Sequence, residues 1–438
     1  MSSPQHFGWF VGQGFGVQGW GYDGWLWGHR WERPDVWIDA VRAAEAAGFD
    51  LFLFKDGTIV QAYDELPDTS VGSAEGGPRH EPMLLLPYLL QSTKRIAVLP
   101  TLNSTHYDPY HAARQIATLY HFEPGRVGLN IVTGVEKEAV RNIGTVREIL
   151  SHDDAYAKAD EWATILRRLW TSWDRDAVVA DADHYRYALA ERIHRIDYKG
   201  RFFDVAGPSV TLPFDDEGPV FSSPGSSELG LAYAGKHSDI QFSFGISAAH
   251  VRANREKIAA AAVAAGRGAD SVKVFSVISP RIVDSADAKA AVVAELSSDD
   301  ALRKRLSIIS VILKVDFAAL DLDKPIPARL LDDPVVGHTV GAAFLAGVDN
   351  PAQVPFRELV ARSVHGAPGD LIGTPDEIAD YIEAFGEESG HAGFLFNFNV
   401  DPWNVHNLLG RLVPVLKRRG ILRSEFSGTS LRSHLSDF

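Results

Sequence analysis

The residues able to do chemistry stand at the polar ends of short apolar runs. Asn130, Thr133 and Gly134 end the run Gly125-Arg126-Val127-Gly128-Leu129-Asn130-Ile131-Val132-Thr133-Gly134. Asp56 follows the run Phe49–Phe54, Thr101 and Asn103 end the run from Ile96, and Asn397 and Asn399 end the run from Gly393. Pro224-Gly225-Ser226-Ser227 follows Pro219–Ser223 and opens a helix. Its two hydroxyls, free backbone N–H groups and the helix dipole make a phosphate seat without a Walker motif. Taken alone, the same residues more often read as an ordinary N-cap. His152 and Tyr156 are four apart at a helix start, so they share a face and can reach one ligand together or simply cap and pack. Arg114 reads equally as a ligand contact or a structural ion-pair partner.

This rim is made of hydroxyls and carboxamides, with Asp56 as its clear carboxylate. A glycosidase would want two facing carboxyls, and a metal hydrolase would want closely spaced His and Asp ligands. Neither set appears, and the chain has no cysteine to serve as nucleophile or ligand. No metal site is expected. A neutral hydrogen-bonding rim suits a planar, polar-edged cofactor better than an acid–base pair.

The elements that must position these groups alternate. Strand candidates lie near residues 7, 51, 97, 127, 220, 240, 274 and 394, nearly all followed by helix before the next strand. Asp108 with Pro109 marks one helix start, and Thr374 with Glu377 forms a capping box at another. Strand–helix alternation calls for a parallel sheet, and eight units favour a closed α/β (β/α)8 TIM barrel, whose site lies at the C-terminal strand ends. No GxGxxG follows the first strand to open a helix, which argues against a dinucleotide fold. Two stretches, 174–212 and 318–370, break the rhythm and read as insertions into one domain spanning 1–438. Residues 287–315 read as largely helical, and 81–91 as a helix.

The formal net charge of −14, with no basic run, argues against nucleic acid and anionic membranes as partners. The N-terminus lacks a signal-type apolar segment, and no run is long enough to span a bilayer, so a soluble cytoplasmic protein is the expectation. Trp20, Tyr22, Trp25, Trp27 and Trp31 crowd one glycine-rich loop, either sealing the fold or offering a stacking surface for a planar ligand.

Several segments together resemble the bacterial-luciferase-like flavin monooxygenases. They are Pro109–Gln115 with Gly125–Gly134, His152-Asp153-Asp154-Ala155-Tyr156, Gly200-Arg201-Phe202-Phe203, Gly225-Ser226-Ser227, Asp321–Pro325, Gly373-Thr374-Pro375, Gly393-Phe394 and Leu412–Gly420. The branch is that of nitrilotriacetate monooxygenase component A, the desulfurising sulfone monooxygenases and long-chain alkane monooxygenase. The resemblance implies a (β/α)8 barrel that binds FMN, reduced by a separate flavin reductase, with O2 as co-substrate. It places FMN against Asp56, Thr101, Asn103, Thr133, Gly134, His152, Tyr156, Ser226 and Ser227, with the two serines on the phosphate. It implies oxygenation of a small molecule through a flavin peroxide, and a homo-oligomer, dimer or tetramer.

The chain departs from the family's pattern at Trp27–Pro34 and at Lys55, where substrate should enter. The aromatic loop points to a planar aromatic or heterocyclic substrate. His29 and His106 are the candidates to donate a proton or hydrogen bond. One alternative is riboflavin lyase, a member of the same family that cuts the ribityl chain using bound flavin. Others are a barrel hydrolase using Asp56 with His29, His106 or His111, and a flavin carrier or sensor without turnover.

Overall fold

Runs of apolar, largely β-branched and aromatic residues, alternating with helices after the first strand, build a closed parallel barrel. The computed structural model describes residues 3–18, 30–60, 77–134, 137–144, 149–244, 247–313, 315–317, 319–332, 348, 350–364, 371–390 and 393–438. The strands are β1 (His6–Val11), β2 (Leu51–Phe54), β3 (Ala97–Asn103), β4 (Gly128–Val132), β5 (Val220–Ser223), β6 (Ile240–Phe244), β7 (Lys273–Ile278) and β8 (Gly393–Asn397). They pair in sequence order, and β8 returns to β1 with Phe10 opposite Asn397, so the sheet has no edge. This is the expected (β/α)8 barrel.

The barrel is filled, not hollow. Phe10, Leu51, Leu53, Leu99, Phe242, Phe275 and Leu395 pack inside it. Glycine makes room where two strands crowd: a Cβ on Gly8 would lie 2.6 Å from Leu395 and 2.7 Å from Leu51, and one on Gly128 would lie 2.7 Å from Leu99. Outside, α1 (Pro34–Ala47) buries Val36, Trp37, Ala40, Val41 and Ala44 on one face and ends at Gly48, whose φ of 92° suits glycine. α2 (Leu86–Ser92) and α3 (Pro109–Phe122) follow, the latter capped by Asp108 as its sequence implied. The helix foreseen at 81–91 starts later: Pro82–Leu84 is a tight single turn, which leaves Glu81 outside as its cap.

α4 (His152–Trp170) is capped by Ser151, and α5 (Glu228–His237) by Ser227. α6 (Ala248–Ala264) and α7 (Pro375–Ser389) complete the central units, α7 with the capping box of Thr374 and Glu377 in place. Residues 402–418 close the barrel as one continuous helical stretch. The first insertion is two small antiparallel hairpins, Val178–Asp181 with Arg186–Ala188 and Tyr198–Lys199 with Asp204–Val205.

The second insertion begins earlier than its prolines suggested. A short parallel pair, Arg281–Ile282 with Ile372–Gly373, marks its neck. The helices Ala286–Leu296 and Asp299–Leu313 therefore belong to the excursion and not to the barrel wall. Leu302 and Leu306 pack with Phe317, Phe356, Leu359 and Val360 into a separate small core, so helical periodicity there reported a satellite layer.

At the N-terminal mouth a short helix, Leu431–Leu435, drives Leu431 and Leu435 into the barrel interior. Arg423 anchors this plug by a 2.7 Å ion pair to the buried Asp50, whose other oxygen lies 3.0 Å from the Phe7 N–H and 3.3 Å from His6 Nδ1. The opposite, C-terminal mouth carries the candidate site. Among the described residues, no helix is long and apolar enough to cross a membrane.

Candidate active site

At the open mouth the ends of β1 to β6 surround a cavity of about 270 Å³. Phe10, Asp56, Thr101, Asn103, Asn130, Val132, Gly134, Pro224 and Phe242 line it from the strand ends, and His106 and Tyr107 from the turn after β3. Four of the expected contacts, Asp56, Thr101, Asn103 and Gly134, thus come together with His106. Thr133 sits between two lining residues without lining the cavity itself. His29 lies outside the described residues, as do Trp20, Tyr22, Trp25 and Trp27.

A hydrogen-bond ladder runs across the barrel beneath this cavity. Ser222 Oγ donates to Asn130 Oδ1 at 3.2 Å, Asn130 Nδ2 donates to Thr101 Oγ1 at 2.8 Å, and Thr101 donates to the Phe54 carbonyl at 2.6 Å. One lone pair of the Thr101 hydroxyl is left for a ligand. Asn103 is similarly occupied: its Nδ2 donates to the Gly134 carbonyl at 2.9 Å, and its Oδ1 accepts from the Thr105 N–H and hydroxyl at 3.0 and 2.8 Å. Both residues shape the floor more than they reach out of it.

The remaining expected residues form a second cluster, joined to the cavity through Pro224. Ser227 Oγ lies 3.3 Å from His152 Nε2 and accepts the Gly230 N–H at 3.1 Å. The His152 and Tyr156 rings meet edge to face at 5.0 Å between centroids. A Cβ on Gly225 would lie 2.5 Å from the Tyr156 hydroxyl and 2.8 Å from Gly230 Cα, so only glycine admits this close approach. Among the described residues, the hydroxyls of Tyr156 and exposed Ser226 have no hydrogen-bond partner. Two free hydroxyls, the first N–H groups of α5 and an imidazole form a cradle that fits a phosphate.

The Gly200–Phe203 segment folds onto α4 beside this cradle. Glu161 accepts the N–H groups of Arg201 and Phe202 at 2.7 and 3.0 Å, and Arg201 pairs with Asp154 at 2.6 Å. Arg114 is on the exposed face of α3 and joins neither cluster. His111 is also exposed and held by Asp108 at 2.9 Å, which removes it from any pairing with Asp56.

Residues 6–392 match the model of the luciferase-like monooxygenases. The chain belongs to that family. Dibenzothiophene-sulfone monooxygenase of Rhodococcus erythropolis is 31% identical to it over 400 residues, 90% of this chain and 88% of that one. Component A of nitrilotriacetate monooxygenase from Aminobacter aminovorans is 30% identical over 438 residues, 96% and 94% of the two chains. The crystal structure of a riboflavin lyase with modified FMN and substrate riboflavin superposes with a TM-score of 0.83 at 26% identity, covering 99% of this chain and 96% of that one. This luciferase-like monooxygenase is a flavin-dependent oxidoreductase, and FMN is the flavin these likenesses suggest.

More ionisable groups act on its cavity than the strand ends revealed. Burial raises the Asp56 carboxyl above the usual range, against the Gly57 N–H and the Arg79 charge that lower it. Glu81 is raised too, by burial first and then by Asp56, while the Met83 and Leu84 N–H groups pull the other way. Burial, Glu81 and Asp56 together keep the Tyr107 phenol protonated. His106 is lowered by burial and then by Lys158, whose ammonium donates to the Thr105 carbonyl at 3.0 Å. Glu81, Arg79 and Tyr107 were missed in the strand-end reading because they sit in loops and turns. Glu81 directly before Pro82 was the available signal, since a residue before proline is driven out of the helix.

Proposed function

We propose that the chain is the oxygenase of a two-component pair, taking reduced FMN from a separate flavin reductase and using O2 to oxygenate a small planar aromatic or heterocyclic molecule. The observation that carries this reading is the continuity of the cavity with the phosphate-type cradle through Pro224 and Gly225. When bound, reduced FMN supplies the electrons that activate O2.

The chain's own groups supply the rest. Ser226, Ser227, Tyr156, His152 and the α5 N–H groups hold the phosphate. Asp56, Thr101, Asn103 and Gly134 set the ring end, with Thr133 only linking Val132 to Gly134, and Phe10, Val132, Ala139 and Phe242 keep water from it. His106, neutral, offers one N–H to the developing charge on the substrate or on oxygen. The test is oxygen uptake with a reductase and a panel of aromatic substrates, with products identified by mass. Substrate-dependent uptake with gain of one oxygen atom supports the proposal, and product formation without flavin or O2 contradicts it.

The likeness to the riboflavin lyase favours a second reading, cleavage of the ribityl chain of riboflavin beside bound FMN. Release of the isoalloxazine base from added riboflavin distinguishes it.

A further inference from the structure

A second cavity, of about 360 Å³, opens at the same mouth on the other side of β1. The first cavity lies against Phe10, and the second begins at Gly12 and Gln13, so the end of β1 is their common wall. Asn397, paired in register with Phe10, faces into the second; its Oδ1 lies 2.5 Å from where a Cβ on Gly12 would stand. At about 270 Å³ the first cavity falls just below the usual range of ligand pockets, enough for one planar ring system and not for two stacked partners.

The chemistry of the second cavity differs sharply from the first. Arg281 and Arg305 line it, together with Gln13, Asn397, Asn399 and Trp403, and among the described residues no Asp or Glu does. Arg281 stands at the neck of the second insertion, fixed by its pairing with Ile372. Among the described residues its guanidinium has no ion-pair or hydrogen-bond partner, and neither do the carboxamides of Gln13, Asn397 and Asn399. Other arginines of this part of the chain are paired: Arg411 with Asp284 at 2.6 Å, and, in the second insertion, Arg357 with Asp299 and Asp323 at 2.8 and 2.7 Å. In a chain of net charge −14, a half-buried arginine that no described carboxylate pairs is set up for an anion from outside.

We propose that this cavity is the substrate's anchor and takes an organic oxyanion, a carboxylate or sulfonate carried on an aromatic body. Arg281 takes the oxyanion, the carboxamides complete its hydrogen bonds and Trp403 covers the ring. The reacting end then extends past Phe10 toward the first cavity. This rests on the reading that the first cavity holds the flavin.

The test is calorimetric titration of the full-length, FMN-loaded protein with benzoate, benzenesulfonate and the neutral match benzamide at low ionic strength. At least one anion should bind about tenfold or more tighter than benzamide. Arg281→Ala should abolish that preference, Arg281→Lys should keep part of it, and FMN affinity should be unchanged in both. Equal affinity for anions and benzamide, no binding of any of them, or a preference that survives Arg281→Ala would overturn the proposal. The same titrations on flavin-free protein keep the outcomes apart: a protein that binds no FMN but prefers the anion through Arg281 sinks the flavin reading alone.

Discussion

Asn103 Nδ2 lies 3.4 Å from His106 Nε2, while Oδ1 of the same carboxamide accepts the Thr105 N–H at 3.0 Å. The second bond decides which end of the amide faces the ring. Nε2 is therefore an acceptor, and the imidazole carries its proton on Nδ1. Burial and the Lys158 charge disfavour the imidazolium form in the same sense.

An NMR titration of His106 is therefore expected to give a midpoint below the ordinary 6.5. The folded state then binds fewer protons than the unfolded state, so this contribution to stability is complete above 6.5 and lost as pH falls through the lowered midpoint. His106→Gln should flatten that part of the stability curve. His106→Ala should lower turnover by about 10²-fold with little change in FMN affinity. A midpoint at or above 6.5 would contradict the assignment.

The cradle at the start of α5 predicts discrimination by phosphate. Ser226→Ala and Tyr156→Phe each remove a hydroxyl left free by the described residues, and each should weaken FMN about tenfold while leaving riboflavin affinity unchanged. Flavin fluorescence titration reads both. Ser227→Ala should also lower the melting temperature, because Ser227 caps α5 through the Gly230 N–H and a lost cap costs about 1 kcal/mol. Equal losses for FMN and riboflavin would place the serines elsewhere than at the phosphate.

Asp56 and Glu81 are both raised, mainly by burial. A raised carboxyl holds its proton more tightly when folded, so its contribution to stability is present at low pH and lost as pH rises through the folded midpoint. Asp56→Asn should therefore raise the melting temperature in mildly alkaline buffer, with the gain vanishing in acid, and should reduce turnover. Scanning fluorimetry across pH checks the first part; a gain independent of pH would show that charge burial is not the cause.

The barrel and part of its candidate site were legible because strand ends are local signals. Eight apolar runs with polar tails, such as Leu99–Asn103 and Leu129–Gly134, carry both the sheet and the residues of its mouth. The helix start at Ser227 was visible for the same reason. Groups brought in by loops were not: Glu81 and Tyr107 reach the cavity electrostatics from turns, where no periodicity marks direction. No local signal marks Arg281, because the insertion neck that holds it depends on a pairing with Ile372 that lies far along the chain. The plug of Leu431 and Leu435 escaped notice because a five-residue amphipathic turn is too short to register as a core element.

That plug makes its own prediction. Arg423→Ala leaves the Asp50 carboxylate, 1% exposed, without its cation, which should cost about 3–5 kcal/mol in chemical denaturation. Pairing Arg423→Met with Asp50→Asn should recover much of the loss, since the expense lies in the unpaired charge. A single-variant loss below about 1 kcal/mol would mean that the ion pair does not anchor the tail.

The most direct test of the central claim is an anaerobic titration of the protein with reduced FMN and, separately, with reduced riboflavin, followed by mixing with oxygen. Saturable binding at one flavin per chain, clearly tighter for FMN, with substrate-dependent oxygen consumption afterwards, is the result expected of a flavin seated between Asp56 and Ser227. Absence of FMN binding in either redox state would contradict it.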